Sequence, residues 1–215
     1  MYPVLKRVID IVISGLAIVV LSPVLLLIAI AIKLDSKGPV LFKQKRVGKN
    51  KSHFMIYKFR SMYVDAPSDM PTHLLKDPTA MITKVGAFLR KTSLDELPQL
   101  FNIFKGEMAI VGPRPALWNQ YDLIEERDKY GANNIRPGLT GWAQINGRDE
   151  LEIDVKARLD GEYAEKIGLL MDVRCFFWTI FSVLRSDGVV EGGTGVKAKT
   201  TDINSSNSKA EETVK

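Results

Sequence analysis

The stretch Thr92-Ser93-Leu94-Asp95-Glu96-Leu97-Pro98-Gln99-Leu100 sets two carboxylates side by side, two residues ahead of a proline. Such a pair is a candidate ligand set for a divalent cation. The same residues also read as helix-start chemistry, because Ser93-x-x-Glu96 is a capping box and acids in a first turn suit the helix dipole. Pro98 weighs against a mere cap, since it removes the N–H that would bond to the Leu94 carbonyl. Cations stand nearby in the chain. Arg90 and Lys91 precede the pair, while Arg114 and Arg136 lie in Val111-Gly112-Pro113-Arg114-Pro115 and Arg136-Pro137-Gly138, where proline stiffens the backbone. The planar fork of arginine matches phosphate oxygens, and a stiff loop costs little to order on binding. Carboxylates among several cations, at a helix start, form a site for Mg²⁺ and a phosphate ester.

Several alternatives fall away. The chain has no Gly-x-x-x-x-Gly-Lys-Ser/Thr and no Gly-x-Gly-x-x-Gly after a strand, which removes the P-loop and the usual dinucleotide fold. The single cysteine, Cys175, excludes an intramolecular disulfide framework and, with two histidines, leaves no Cys-rich zinc site. Cys175 stands in the apolar run Cys-Phe-Phe-Trp and reads as buried or lipid-facing.

The elements that must position this chemistry begin with an uncharged run of 22 residues, Ile11 to Ile32, against the ~20 that span a bilayer. No small-residue cleavage site follows it; Lys33-Leu34-Asp35 does. Ser22-Pro23 sits at its middle, where proline should kink or break a helix and leave carbonyls for the Ser22 hydroxyl to satisfy. Lys6 and Arg7 flank one end, Lys33 and Lys37 the other, so the charge rule suits both ends on the cytoplasmic side. A helix–break–helix that dips into one leaflet and returns accounts for both features; a plain spanning helix is the alternative. Asp10 is expected to pair with Lys6 or Arg7. Residues 1–60 hold eleven Lys and Arg against two acids, a net +9, while the other 155 residues carry −4. Beside an apolar run, that basic quarter suggests anionic headgroups rather than nucleic acid.

Residues 39–48 and 53–60 alternate loosely and read as a β-hairpin turning near Gly48-Lys49-Asn50, its basic side chains on one face. Residues 64–78 read as a loop. Helices are expected at about 80–91, at 94–105 ending at Gly106, at 116–130 and at 150–165. Residues 111–115 and 133–147 read as constrained loops. Residues 168–185 form a long apolar helix rich in aromatics, suited either to a membrane interface or to a core. Beyond Gly192 the composition predicts a disordered tail.

Taken together, six ordered motifs closely resemble the bacterial sugar transferases, the monotopic polyprenyl-phosphate phosphoglycosyl transferases. They are Lys58-Phe59-Arg60-Ser61-Met62, Ser93 to Leu100, Gly106-Glu107-Met108, Val111 to Pro115, Arg136-Pro137-Gly138, and Gly141-Trp142-Ala143-Gln144-Ile145-Asn146-Gly147-Arg148. The resemblance covers about Met1 to Gly192 and is to the short, catalytic-core class. It implies an enzyme that moves sugar 1-phosphate from a UDP-sugar to undecaprenyl phosphate, releases UMP, and starts a capsule, exopolysaccharide, O-antigen or glycoprotein glycan. It implies Asp95 as nucleophile through an acyl-phosphosugar intermediate, Glu96 as its metal-binding partner, Mg²⁺ held by both, and a re-entrant helix bent at Ser22-Pro23. Lys58, Arg60, Arg90, Arg114, Arg136, Gln144 and Arg148 are the substrate-binding candidates. The family often has Asp at Glu107 and Ser at Ala109. A 2-acetamido sugar is the favoured donor.

The resulting expectation is an α+β, mostly helical protein. It comprises a re-entrant membrane helix (1–36), a catalytic domain (37–192) with a small hairpin and interfacial amphipathic helices around a cytoplasmic active site, and a disordered tail (193–215). Its place is the bacterial inner membrane, with membrane lipids and downstream glycosyltransferases as further partners. The competing readings are a membrane glycosyltransferase that releases UDP and a non-catalytic scaffold of polysaccharide assembly.

Overall fold

A computed structural model describes residues 2–67, 79–147 and 151–185. The chain opens with one long helix, α1 (Tyr2–Asp35). A hairpin of β1 (Leu41–Val47) and β2 (His53–Phe59) follows, then α2 (Lys84–Lys91), a 3₁₀ turn at Leu94–Glu96 and α3 (Gln99–Lys105). After these come β3 (Ala109–Val111), α4 (Tyr121–Asp128), β4 (Gly138–Thr140), α5 (Trp142–Ile145), α6 (Ile153–Glu165) and α7 (Leu169–Arg185). The structure is mostly helical with two small sheets. Arg148, most of the 64–78 loop and the tail from 186 on lie outside the described residues.

Pro23 does not interrupt α1, which is helical on both sides of it. The expected break is therefore not a loss of helix. Proline does remove the donor to the carbonyl four residues back, and that carbonyl, Val19 O, instead accepts from the Ser22 hydroxyl at 2.8 Å. The helix buries one narrow stripe at helical spacing. Lys6, Asp10 and Ser14 are followed by Ala17, Ile18, Leu21, Leu25, Ile28, Ala29 and Ile32. The apolar part packs on Phe54, Ile56, Leu100, Ile103 and Met108, then on Phe59 and Leu89. The opposite side is apolar and bare, with Leu16, Val19, Val20, Leu26 and Leu27 all exposed. It is the one helix among the described residues long and apolar enough to cross a membrane.

The polar start of the stripe is tied down differently from expectation. Lys6 pairs with Asp172 of α7 at 2.6 Å, and Asp10, almost fully buried, accepts from the Ile110 N–H at 3.1 Å. Asp172 also accepts from the Tyr2 and Tyr163 hydroxyls, each at 2.6 Å. At the far end, Asp35 accepts from the Val85 N–H of α2, and Arg60 donates to the Ser36 and Lys37 carbonyls. Both ends of α1 are thus fastened to the same body.

The hairpin pairs antiparallel from Leu41 opposite Phe59 to Val47 opposite His53. Its basic residues do not share a face, because strand alternation separates them. Lys43 and Lys45 project outward, over the Tyr57 and Trp118 rings, whereas Arg46 and Lys58 lie on the inner side with Phe54 and Ile56. Of the two stretches expected to be loops, 133–147 contains β4 and α5, and 111–115 starts on the last residue of β3; β3 and β4 pair in parallel, Ala109 with Gly138 and Val111 with Thr140. Backbones here almost touch: a Cβ on Gly138 would come within 2.1 Å of the Gly112 nitrogen. In α7, Cys175 is buried while Leu170, Phe177 and Trp178 stay exposed, so its aromatic side is not core.

Candidate active site

The acidic pair does not sit in a capping box. Ser93 has φ 56°, in the left-handed region, and its side chain caps nothing. The expected single helix over 94–105 is divided. Residues Leu94–Glu96 form a 3₁₀ turn closed by Leu97 N–H to Leu94 O at 3.2 Å, and α3 starts after Pro98. That shorter bond supplies the Leu94 carbonyl with the partner that proline denies it, at the cost of a tighter turn. The turn presents Asp95 and Glu96 at the head of α3 and against the hairpin.

Glu96 is gripped by two cations through one oxygen: Lys58 Nζ at 2.7 Å and Arg114 Nη2 at 3.1 Å from Oε1. Burial pushes the Glu96 carboxyl up, but those charges and hydrogen bonds outweigh it and hold the group well below the usual carboxylate range. Asp95 is 8% exposed. Burial raises its pKa above the ordinary value, Lys58 opposes this, the charge of Glu96 adds to it, and Arg90 and Arg114 pull back. The environment therefore drives the two carboxyls apart: one permanently ionised and neutralised, the other more basic.

Asp95 opens onto a cleft of about 350 Å³. Its polar wall is Lys58, Arg60 and Arg90, and its apolar wall runs through Phe42, Met62, Tyr63 and Val64. Of the candidates named from the sequence, Lys58, Arg90 and Arg114 converge on the pair. Arg60 lines the cleft but spends both terminal nitrogens on the end of α1. Arg136 and Gln144 are not brought to the dyad. Arg136 donates to the Gly106 carbonyl at 3.0 Å, and beside it Arg7 donates to the Ile103 and Phe104 carbonyls, so two arginines close the C-terminal end of α3. Gln144 donates to Leu139 O near the parallel strands. Among the described residues no group of three His, Cys, Asp or Glu is placed to hold a metal. Two carboxylates alone fit Mg²⁺, which takes one or two carboxylates and completes its octahedron with phosphates and water.

Sequence reasoning missed the residues behind the site. Asn102, fully buried, donates to Met55 O at 2.8 Å and to Glu107 at 2.6 Å, and accepts from the Tyr57 N–H at 3.0 Å. It stitches α3 to β2, the strand that carries Lys58. A lone Asn in a short helix carries no local signal of that role. The acid at 107 holds Asn102 in place, and Ala109 is simply buried in β3.

A family model described as "Bacterial sugar transferase" matches residues 1–186. Over 186 residues the chain is 44% identical to the "UDP-glucose:undecaprenyl-phosphate glucose-1-phosphate transferase" of Escherichia coli (strain K12), covering 82% of this chain and 39% of that one. It is 38% identical over 195 residues to the "UDP-N-acetylgalactosamine-undecaprenyl-phosphate N-acetylgalactosaminephosphotransferase" of Aeromonas hydrophila, covering 87% and 45%. It is 43% identical over 195 residues to the "Exopolysaccharide production protein PSS" of Rhizobium leguminosarum bv. phaseoli, covering 84% and 96%. The chain matches about two fifths of the length of several longer relatives, from 35% to 42%.

Proposed function

The chain belongs to the bacterial sugar transferase family, and on that footing we propose that it transfers a sugar 1-phosphate from a UDP-sugar to undecaprenyl phosphate and releases UMP. The observation that carries this reading is the split dyad: a buried, basic Asp95 beside a Glu96 neutralised by Lys58 and Arg114, at the mouth of a cationic cleft. A carboxylate oxygen of Asp95 attacks the phosphorus that bears the sugar. The bond from that phosphorus to the bridging oxygen breaks, and UMP leaves with the electron pair. An oxygen of undecaprenyl phosphate then attacks the same phosphorus, forms the lipid diphosphate and returns the free carboxylate. Arg90 and Arg114 stabilise the charge on the phosphoryl oxygens and on departing UMP, and Lys58 keeps Glu96 in place. Mg²⁺, when bound by Asp95 and Glu96, would supply further charge neutralisation at the diphosphate.

Membrane placement belongs to the same proposal. A straight helix of 34 residues is about 51 Å long, against a hydrocarbon core of ~30 Å. With Lys6 and Asp35 both fastened to the catalytic body, a crossing would pull one end away from its partners. A monotopic, re-entrant α1, its bare apolar side in one leaflet of the inner membrane and the body on the cytoplasmic side, keeps both. The exposed Phe177 and Trp178 of α7 suit the interface. The short apolar wall of the cleft would face the lipid acceptor at headgroup depth.

The relatives' names specify glucose and N-acetylgalactosamine among their sugars, so the donor test is a panel of UDP-sugars with undecaprenyl phosphate. UMP is the expected product; release of UDP would overturn the reading. Asp95→Ala is expected to abolish transfer while the protein stays folded, and mass spectrometry of the wild type is expected to find phosphosugar on Asp95.

A further inference from the structure

The loop that carries Arg114 is pinned through three consecutive carbonyls, each by a donor from a different element. Pro113 O accepts from the Gly138 N–H of β4 at 2.9 Å. Arg114 O accepts from Arg127 of α4 at 3.0 Å, and Pro115 O accepts from Arg46 of β1 at 2.9 Å. The middle pin is the costly one. Arg127 is 4% exposed and Asp160 of α6 is 1% exposed. Their contact is double, Nε at 2.8 Å and Nη2 at 2.5 Å from one carboxylate oxygen. A buried ion pair gains little stability over apolar side chains of the same volume. What apolar side chains cannot do is donate to the Arg114 carbonyl, whose own side chain reaches Glu96.

We infer that Arg127, oriented by Asp160, is a positioning residue that aims the Arg114 guanidinium at the phosphates handled by Asp95 and Glu96. The inference rests on the proposed transfer reaction and deepens it. Asp160 fixes Arg127, whose third contact fixes the peptide between two prolines. The proline rings lock only their own φ angles, at 113 and 115, so the orientation of the Arg114 carbonyl is left for the Arg127 contact to fix. Freed from the pin, the arginine would still be present but misplaced, and a misplacement of about 1 Å costs on the order of 100-fold in rate.

The test uses the full chain in detergent micelles with a UDP-sugar and undecaprenyl phosphate, reading UMP release and thermal unfolding. The variants are Arg127→Lys and the paired apolar replacement Arg127→Met with Asp160→Leu, each made alone and combined with Arg114→Ala. The expected result is a loss of kcat of about 10- to 100-fold, with KM for the UDP-sugar changed less than about threefold. In the Arg114→Ala background the same changes should alter kcat less than about twofold, since the residue they aim is gone. Wild-type kcat in a folded variant overturns the inference, as does an equal loss with and without Arg114. Failure of both variants to fold assigns the pair to stability and also overturns it. A wild-type protein that releases no UMP refutes the transfer reading itself, and the inference with it.

Discussion

Asn102→Ala is expected to destabilise the protein by about 3–5 kcal/mol and to cut activity in what remains folded. The magnitude follows from its partners. Three hydrogen bonds, to Met55 O, the Tyr57 N–H and Glu107, disappear at a side chain with no solvent exposure. Each partner left without its bond costs about 1–3 kcal/mol where water cannot enter, roughly 3–9 kcal/mol for the three. Water reaching the part-buried Glu107 offsets some of that, which keeps the sum near the lower bound. The functional consequence is separate. Asn102 sets the spacing of α3 against β2, and that spacing sets the 2.7 Å contact between Lys58 and Glu96. Chemical denaturation in micelles, followed by tryptophan fluorescence, gives the stability change, and kcat per folded molecule gives the other. Asn102→Asp should do no better, because it loses both amide donors and faces Glu107 with a second negative charge. A stability change below about 1 kcal/mol, with unchanged kcat, would refute the stitching role.

The pH dependence of transfer should report Asp95. Its carboxyl must be ionised to attack, so kcat/KM falls as pH drops through its raised pKa, and the acid limb lies above the ordinary value of 3.8. Lys58→Met removes the strongest influence holding that pKa down, so the limb should move to higher pH; an unmoved limb refutes the coupling. Cysteines introduced at Pro3 and Lys37, both exposed, should label from the cytoplasmic side alone in intact cells, and labelling of the first from outside would restore a spanning α1. Cys175 is buried, and that burial, with the nearby Asp172 charge, pushes its thiol up to about 11. Its alkylation in the native protein should be slow and should keep rising about tenfold per pH unit through pH 10, where an ordinary thiol has levelled off near 9. An early plateau would mean that α7 undocks.

Much was legible in the residues alone. Long apolar runs exposed α1 and the aromatic α7, and alternation exposed the hairpin, because run length and alternation are local patterns that depend on near neighbours. The spacing of proline, serine and the charged residues also singled out the candidate dyad, the Arg114 that contacts Glu96, and the serine that answers the proline in α1. The pieces that escaped depend on distant partners. Three-residue strands such as β3 and β4 have no period to read, and exist because Gly112 and Gly138 let two backbones meet. Strand alternation, once the register is known, parts Lys58 from Lys43, and no count of basic residues conveys it.

The dyad itself shows the division. Its residue types, order and cationic company are fixed covalently, so they point to the phosphate chemistry proposed above before folding is considered. Whether Ser93 caps a helix or turns left-handed, and whether Glu96 meets water or Lys58 and Arg114, depends on a strand 38 residues away and a loop 18 residues away. Tertiary structure also sent Arg136 to the far end of α3 and Arg127 to the back of the Arg114 loop. A charged side chain goes where its burial cost is repaid by partners, and the partners are assembled only when the chain has folded.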